Sequence, residues 1–194
     1  MNKYKMKQVF KLSNIALLAT ILIFATSCEK EHDEDYKHDE GELITKVMLN
    51  LVNDSNVNDS QIAVWSDMDG IGGNDPIIPD TLRLKLNDSY HGYLRFYTTH
   101  DNHYEDITSE IIDEANDHLI CYTPNTLAQV VTMQIERLDK DQNDLELGLE
   151  TFWKGIMQDE GSIIVSLKHQ PNIKTGDCAL GETDVEIQVP YIFN

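Results

Sequence analysis

The chain predicts an all-β fold: an antiparallel, immunoglobulin-like β-sandwich of about eight or nine strands with one short helix. Three observations lead there. Apolar residues recur with a period of two in one short stretch after another, as Leu82, Leu84 and Leu86 do in DTLRLKL, the signature of a strand with one buried face. Turn-forming Gly, Asn, Asp and Pro separate these stretches at regular intervals. Only one segment has helical spacing, so the strand–helix alternation that builds a parallel sheet is missing.

The elements follow in order. Leu43 to Val52, LITKVMLNLV, alternates as a strand, and the polar run NDSNVNDS predicts a turn after it. Gln61 to Trp65 is a second strand, and SDMDGIGGNDP (66–76) is a loop by composition. Asp80 to Leu86 and Tyr90 to Thr99 flank Asn87-Asp88 and predict a hairpin. Within HDNHYEDITSEIIDEANDH, Thr108 to Ala115 is the best helical stretch, with Ile107, Ile111 and Ile112 on one side. His118 to Thr123, Gln129 to Leu138, Leu149 to Ile156, Gly161 to His169 and Thr183 to Phe193 read as strands; DKDQNDLELGLE and QPNIKTGDCALGE connect them. A chain of this size can bury a core without staples.

The N-terminus carries an address. Lys3, Lys5, Lys7 and Lys11 precede an eleven-residue apolar run, Ile15 to Ala25. That run is short of the about 20 residues a spanning helix needs and suits a signal h-region. It ends in Ala25-Thr26-Ser27-Cys28, small residues followed directly by cysteine. The pattern resembles the lipobox of bacterial lipoproteins, with Ala where Leu is more usual, and makes Cys28 the lipidated first residue of the mature chain. Two or more acyl chains give durable attachment, each buried CH₂ contributing about 0.8 kcal/mol. The expected organisation is therefore a signal peptide over 1–27, an acidic tether over 28–41 and a β-sandwich domain over 42–194. The tether, EKEHDEDYKHDE from Glu29, has too little apolar content to order itself. An acidic stretch just after the lipid cysteine resembles a surface-export signal, which points to the outer membrane, on its cell-surface or periplasmic face.

The whole chain carries a formal charge of −19. Cleavage before Cys28 removes four lysines and no acid, so the mature protein is more negative still. Such a chain repels nucleic acid and favours cations and basic partners.

Five groups of residues are candidates for chemistry. Asp67, Asp69, Asn74 and Asp75, interleaved with Gly70, Gly72 and Gly73, offer oxygen ligands to calcium, although neither the twelve-residue loop nor the flanking helices of an EF-hand are present. Asp139, Asp141, Asn143 and Asp144 repeat the i, i+2 rhythm without glycine. His100 and His103, with Asp101 or Asp106, have a spacing that suits zinc. His32 and His38 lie among the tether's acids and could catch a divalent ion, whereas His118 and His169 read as hydrogen-bonded structural histidines. Cys121 and Cys178 are the two thiols left after Cys28, and outside the cytoplasm they are free to form a disulfide. No nucleophile elbow, phosphate loop, dinucleotide fingerprint or metalloprotease helix is present, so no catalytic residue is named and a non-enzyme is expected.

The segments GELITKVMLNL, WSDMDGIGGNDP, ITSEIIDEANDHLICY, SLKHQPNIKTGD and GETDVEIQVPYIF together resemble a family of small Bacteroidota lipoproteins labelled "type 1 periplasmic binding fold superfamily". The resemblance spans about residues 41–193. It departs at Asp139 to Asp144, where the family has a glycine. The resemblance implies a cell-envelope lipoprotein and, as a partner, a TonB-dependent outer-membrane receptor. The function expected is a lipid-anchored envelope protein that holds a small ligand, a divalent cation or that receptor. A structural or interaction lipoprotein without a small ligand is the alternative. A sugar-active module would need Trp65, Trp153 or the tyrosines as stacking platforms.

Overall fold

The computed structural model describes residues 43–70, 73–100, 103–128 and 130–194. The signal segment, Cys28 and the tether with His32 and His38 lie outside the described residues.

Among the described residues ten strands and one helix follow in the order β1 (Lys46–Asn53), β2 (Asn56–Ser66), β3 (Leu82–Leu84), β4 (Ser89–His100), β5 (His103–Asp106), α1 (Thr108–Asp113), β6 (His118–Thr126), β7 (Met133–Arg137), β8 (Glu150–Gly155), β9 (Asp159–His169) and β10 (Glu182–Phe193). They form two sheets. The larger runs β2-β1-β4-β8-β7, with β5 paired to β4 as well; the smaller runs β3-β10-β9-β6. Among the described residues no helix is long and apolar enough to cross a membrane.

The period-two pattern sets which face is buried. Val47, Leu49 and Leu51 of β1 and Tyr90, Leu94 and Phe96 of β4 point into one core cluster. There they meet Ile163, Val165 and Leu167 of β9 and Val189, Tyr191 and Phe193 of β10, from the other sheet. Side chains alternate across a strand, so burying every second residue of both sheets makes the sandwich. Trp153 is fully buried between the layers, its ring edge-on to Tyr122 at 5.7 Å. Its indole N–H donates to the Thr151 hydroxyl at 2.7 Å. Gly92 of β4 makes room for it, because a Cβ there would come within 2.3 Å of Thr151 Oγ1 and 2.9 Å of the indole nitrogen.

Three expectations are corrected. The predicted hairpin of 80–86 with 90–99 does not form. Its turn exists, with Asn87 at a φ of 70° and Asp88 N–H donating to the Lys85 carbonyl, but it carries the chain from one sheet to the other. β3 pairs in parallel with β10, Leu82 opposite Tyr191 and Leu84 opposite Phe193, because both sides of β4 are already taken by β1 and β8. The sandwich is therefore not wholly antiparallel. The polar run after β1 shrinks to a two-residue turn, closed by Ser55 N–H on Asn53 Oδ1 at 2.9 Å. Residues from Asn56 onward are already strand, since an edge strand tolerates polar residues on both faces. His103–Asp106, placed in the helical stretch by its sequence, is instead β5, a fully exposed strand whose pattern gives no periodic signal.

Candidate ligand cleft

A cleft of about 1140 Å³ opens beside β4, somewhat above the roughly 300–1,000 Å³ that small-molecule sites usually occupy. It lies where β4 changes partner. Residues Ser89 to Tyr93 pair with β8, and Tyr97 onward pairs with β5. Between them the Phe96 backbone is held by the Thr108 hydroxyl and the Ile107 amide. Beneath the gap the floor is the nearly buried apolar layer of Leu94, Leu147 and Leu149.

One wall is α1. Its Ile111 is fully buried and Ile107 is 4% exposed, whereas Ile112 is 54% exposed and lines the cleft. The expectation that all three share one side is corrected here. Residues i and i+4 stack on a face, and the next residue lies about 100° around the helix. The lip comes from outward positions of the large sheet: Met48, Asn50, Tyr93, Arg95 and Glu150. Asn50, Tyr93 and Glu150 form one cross-strand row. The Tyr93 ring is 42% exposed and stacks on His91 at 4.8 Å. Arg95 Nη1 donates to Asp106 at 2.8 Å. Burial opposes the Asp106 charge, but hydrogen bonds from Thr108 and Arg95 outweigh it and hold the carboxyl below its ordinary value. Asn50 Oδ1 is buried and accepts no hydrogen bond.

The opposite wall is the 139–147 loop, and its acids are occupied. Asp139 accepts from the backbone amides of Gly148, Leu149 and Glu150 at 2.9–3.1 Å. Asp141 accepts from the amides of Asn143 and Leu145 and from Lys174 Nζ at 2.8 Å. Lys174 also donates to the Ala115 carbonyl at 2.8 Å. The Lys174 and Asp141 side chains are 2% and 0% exposed, so this pair ties the end of α1, the acidic loop and the β9–β10 connection into one buried knot. Burial pushes the Asp141 pKa up; Lys174 and the two amides more than offset it, and the net direction is down. Asp144 turns outward to Lys140. The second acidic patch is thus a self-satisfied loop whose cation is an internal lysine.

The first acidic patch closes on itself as well. Asp69 Oδ2 accepts from the Asn74 amide at 3.0 Å and from the Asn74 side chain at 2.5 Å, and these bonds lower its pKa. Asp67 Oδ1 is buried without a hydrogen-bond partner. Asp75 is exposed and does not join them. His100 and His103 stand opposite one another in the β4–β5 register. Among the described residues no group of three or more His, Cys, Asp or Glu side chains is placed to hold a metal ion.

Cys121 and Cys178 are joined by a disulfide, with Cα atoms 6.0 Å apart and a sequence separation of 57. It pins the β9–β10 connection to β6. The Arg137 guanidinium lies beside it, 3.7 Å from Cys178 Sγ, and is anchored by Glu146 and the Ile120 carbonyl. His118 is buried, stacked on His169 at 5.1 Å. Burial and the neighbouring His169 push its pKa down to about 4, so it is neutral at physiological pH. At the other end of the sandwich Asp159 accepts from Thr126, Thr132 and Tyr191. Burial and this last bond raise the Tyr191 hydroxyl to about 12. As stacking platforms the tryptophans fail: Trp153 is core and Trp65 packs against it.

The sequence reading missed the cleft. Its one signal was an aromatic at the outward parity of YHGYLRFY, where Tyr93 sits between the inward Gly92 and Leu94.

Fold and cleft together define an all-β protein of two packed sheets with a lateral cleft at a partner switch. No protein-family model, curated protein or solved structure matches the chain.

Proposed function

We propose that this chain is a lipid-anchored, non-enzymatic binding protein of the cell envelope, held at the outer membrane through Cys28 and presenting the cleft to a small ligand. The cleft is the observation that carries the binding: an apolar floor under a mixed polar lip, on a rigid sheet, is the usual form of a small-molecule site. The N-terminal pattern ending in Cys28 supports the anchor. A disulfide persists in oxidising compartments, so the Cys121–Cys178 bond supports a place outside the cytoplasm.

A second reading has its own observation. Leu127, Val130, Val131, Ile156 and Met157 are 43–101% exposed, and the Ile156 and Met157 amides both reach the Thr132 carbonyl. They lie at the end of the sandwich opposite Leu43, since the close of β8 pairs with the start of β4 and the start of β1 pairs with its far half. This patch suits an interaction lipoprotein whose far end meets a partner such as an outer-membrane receptor.

Growth of cells with labelled palmitate tests the anchor. Label is expected in the wild-type protein and absent from Cys28→Ser, which moves to the soluble fraction. Unlabelled wild type with unchanged fractionation of the variant refutes it.

A further inference from the structure

We infer that the cleft takes a small organic cation, an ammonium or guanidinium carried on an apolar stem; this rests on the cleft being the binding site. The balance of charge on its lining comes first. Five carboxylates and only two basic groups line it. Both basic groups are already tied, Arg95 to Asp106 at 2.8 Å and Lys140 to Asp144 at 2.9 Å. An anionic ligand would find no free cation there and would face the surrounding acids.

The carboxylates divide differently. Asp139 and Asp141 are consumed by backbone amides and Lys174, and Asp106 by Arg95. Asp113 and Glu150 are left. Asp113 is exposed on the α1 wall with no hydrogen bond or ion pair among the described residues. Glu150 is 53% exposed and meets only His91, at 3.5 Å, beyond hydrogen-bond range. Asn50, in the same cross-strand row as Glu150, carries a buried carbonyl oxygen that lacks a donor.

The stem is set by the rest of the lining. Leu94, Leu147 and Leu149 form the floor, and Ile112 and Met48 stand at its sides. The exposed Tyr93 face at the lip suits a cation as well, since a cation over a tyrosine ring within about 6 Å is attracted by the ring quadrupole. Apolar walls, an exposed Asp113, a Glu150 held only loosely by His91 and an exposed ring ask for the same molecule.

Hexylamine, hexanol and hexanoate share one stem and differ in charge. Binding to the full-length protein in detergent micelles is read by titration calorimetry. Hexylamine is expected to bind about tenfold tighter than hexanol, a gap of about 1.4 kcal/mol, and hexanoate not to bind. Asp113→Asn with Glu150→Gln should bring hexylamine to the hexanol level and leave hexanol unchanged. Both residues are at the surface, and an unchanged denaturation midpoint certifies the fold. If hexanol or hexanoate matches hexylamine, or the double variant keeps the preference, the cationic ligand is refuted while the cleft stands as a binding site. If none of the three binds, both readings fall.

Discussion

His118 shows how one side chain sets a pH response. Its folded pKa is pushed down to about 4 by burial and His169, below an unfolded value near 6.5. The unfolded chain therefore binds a proton that the native one refuses, and stability falls as pH drops from about 6.5 towards 4. The loss is at most about 3 kcal/mol, since each tenfold drop in proton affinity is worth about 1.4 kcal/mol. Urea midpoints measured across that window should decline in the wild type and flatten in His118→Asn. The depressed carboxyls of Asp69, Asp106, Asp141 and Asp159 act at lower pH. Their stabilisation is present above the ordinary carboxylate range and is lost as pH falls below it, so the two classes separate on the pH axis.

At the scale of elements, the Lys174–Asp141 knot binds three connections that share no strand pairing. Removing one partner strands the other charge in the interior. Lys174→Met or Asp141→Asn alone should cost about 3–5 kcal/mol, and the double variant much less than the sum. A denaturant-unfolding double-mutant cycle reads this directly, and additive losses would refute the coupling. The same knot explains what sequence could and could not reveal. Strands with one buried face were legible because the alternation is written in residue type: Leu82 and Leu84 share the face their alternation assigns them and are buried, and 183–193 is the strand its pattern predicts. β5 was not, since HYED buries nothing. The partner of β3 was not, because parity says which face is inward but not which neighbour lies alongside. The acidic loop looked like a cation site because its carboxylates had no visible partners. Lys174, 33 positions from Asp141, is brought in only by the tertiary fold.

At the scale of the whole molecule, one core joins both sheets and one covalent bond braces it. Closing the loop between Cys121 and Cys178 stabilises by roughly 4 kcal/mol in the chain-entropy view. The reductant-treated protein and the Cys121→Ser/Cys178→Ser variant should both unfold at lower denaturant by a shift of that order. An unchanged midpoint would show the bond to be passive. The sheets have another dependence, on β10. That strand lies between β3 and β9 and contributes Val185, Ile187, Val189, Tyr191 and Phe193 to the core. A nascent polypeptide lacking residues 182–193 has an unroofed small sheet and nothing for Leu82 and Leu84 to align with. Long-range pairing of this kind is slow and waits for its distant partner. The design thus keeps the polypeptide loose while it is being made, and the small sheet locks shut only after the final strand has emerged.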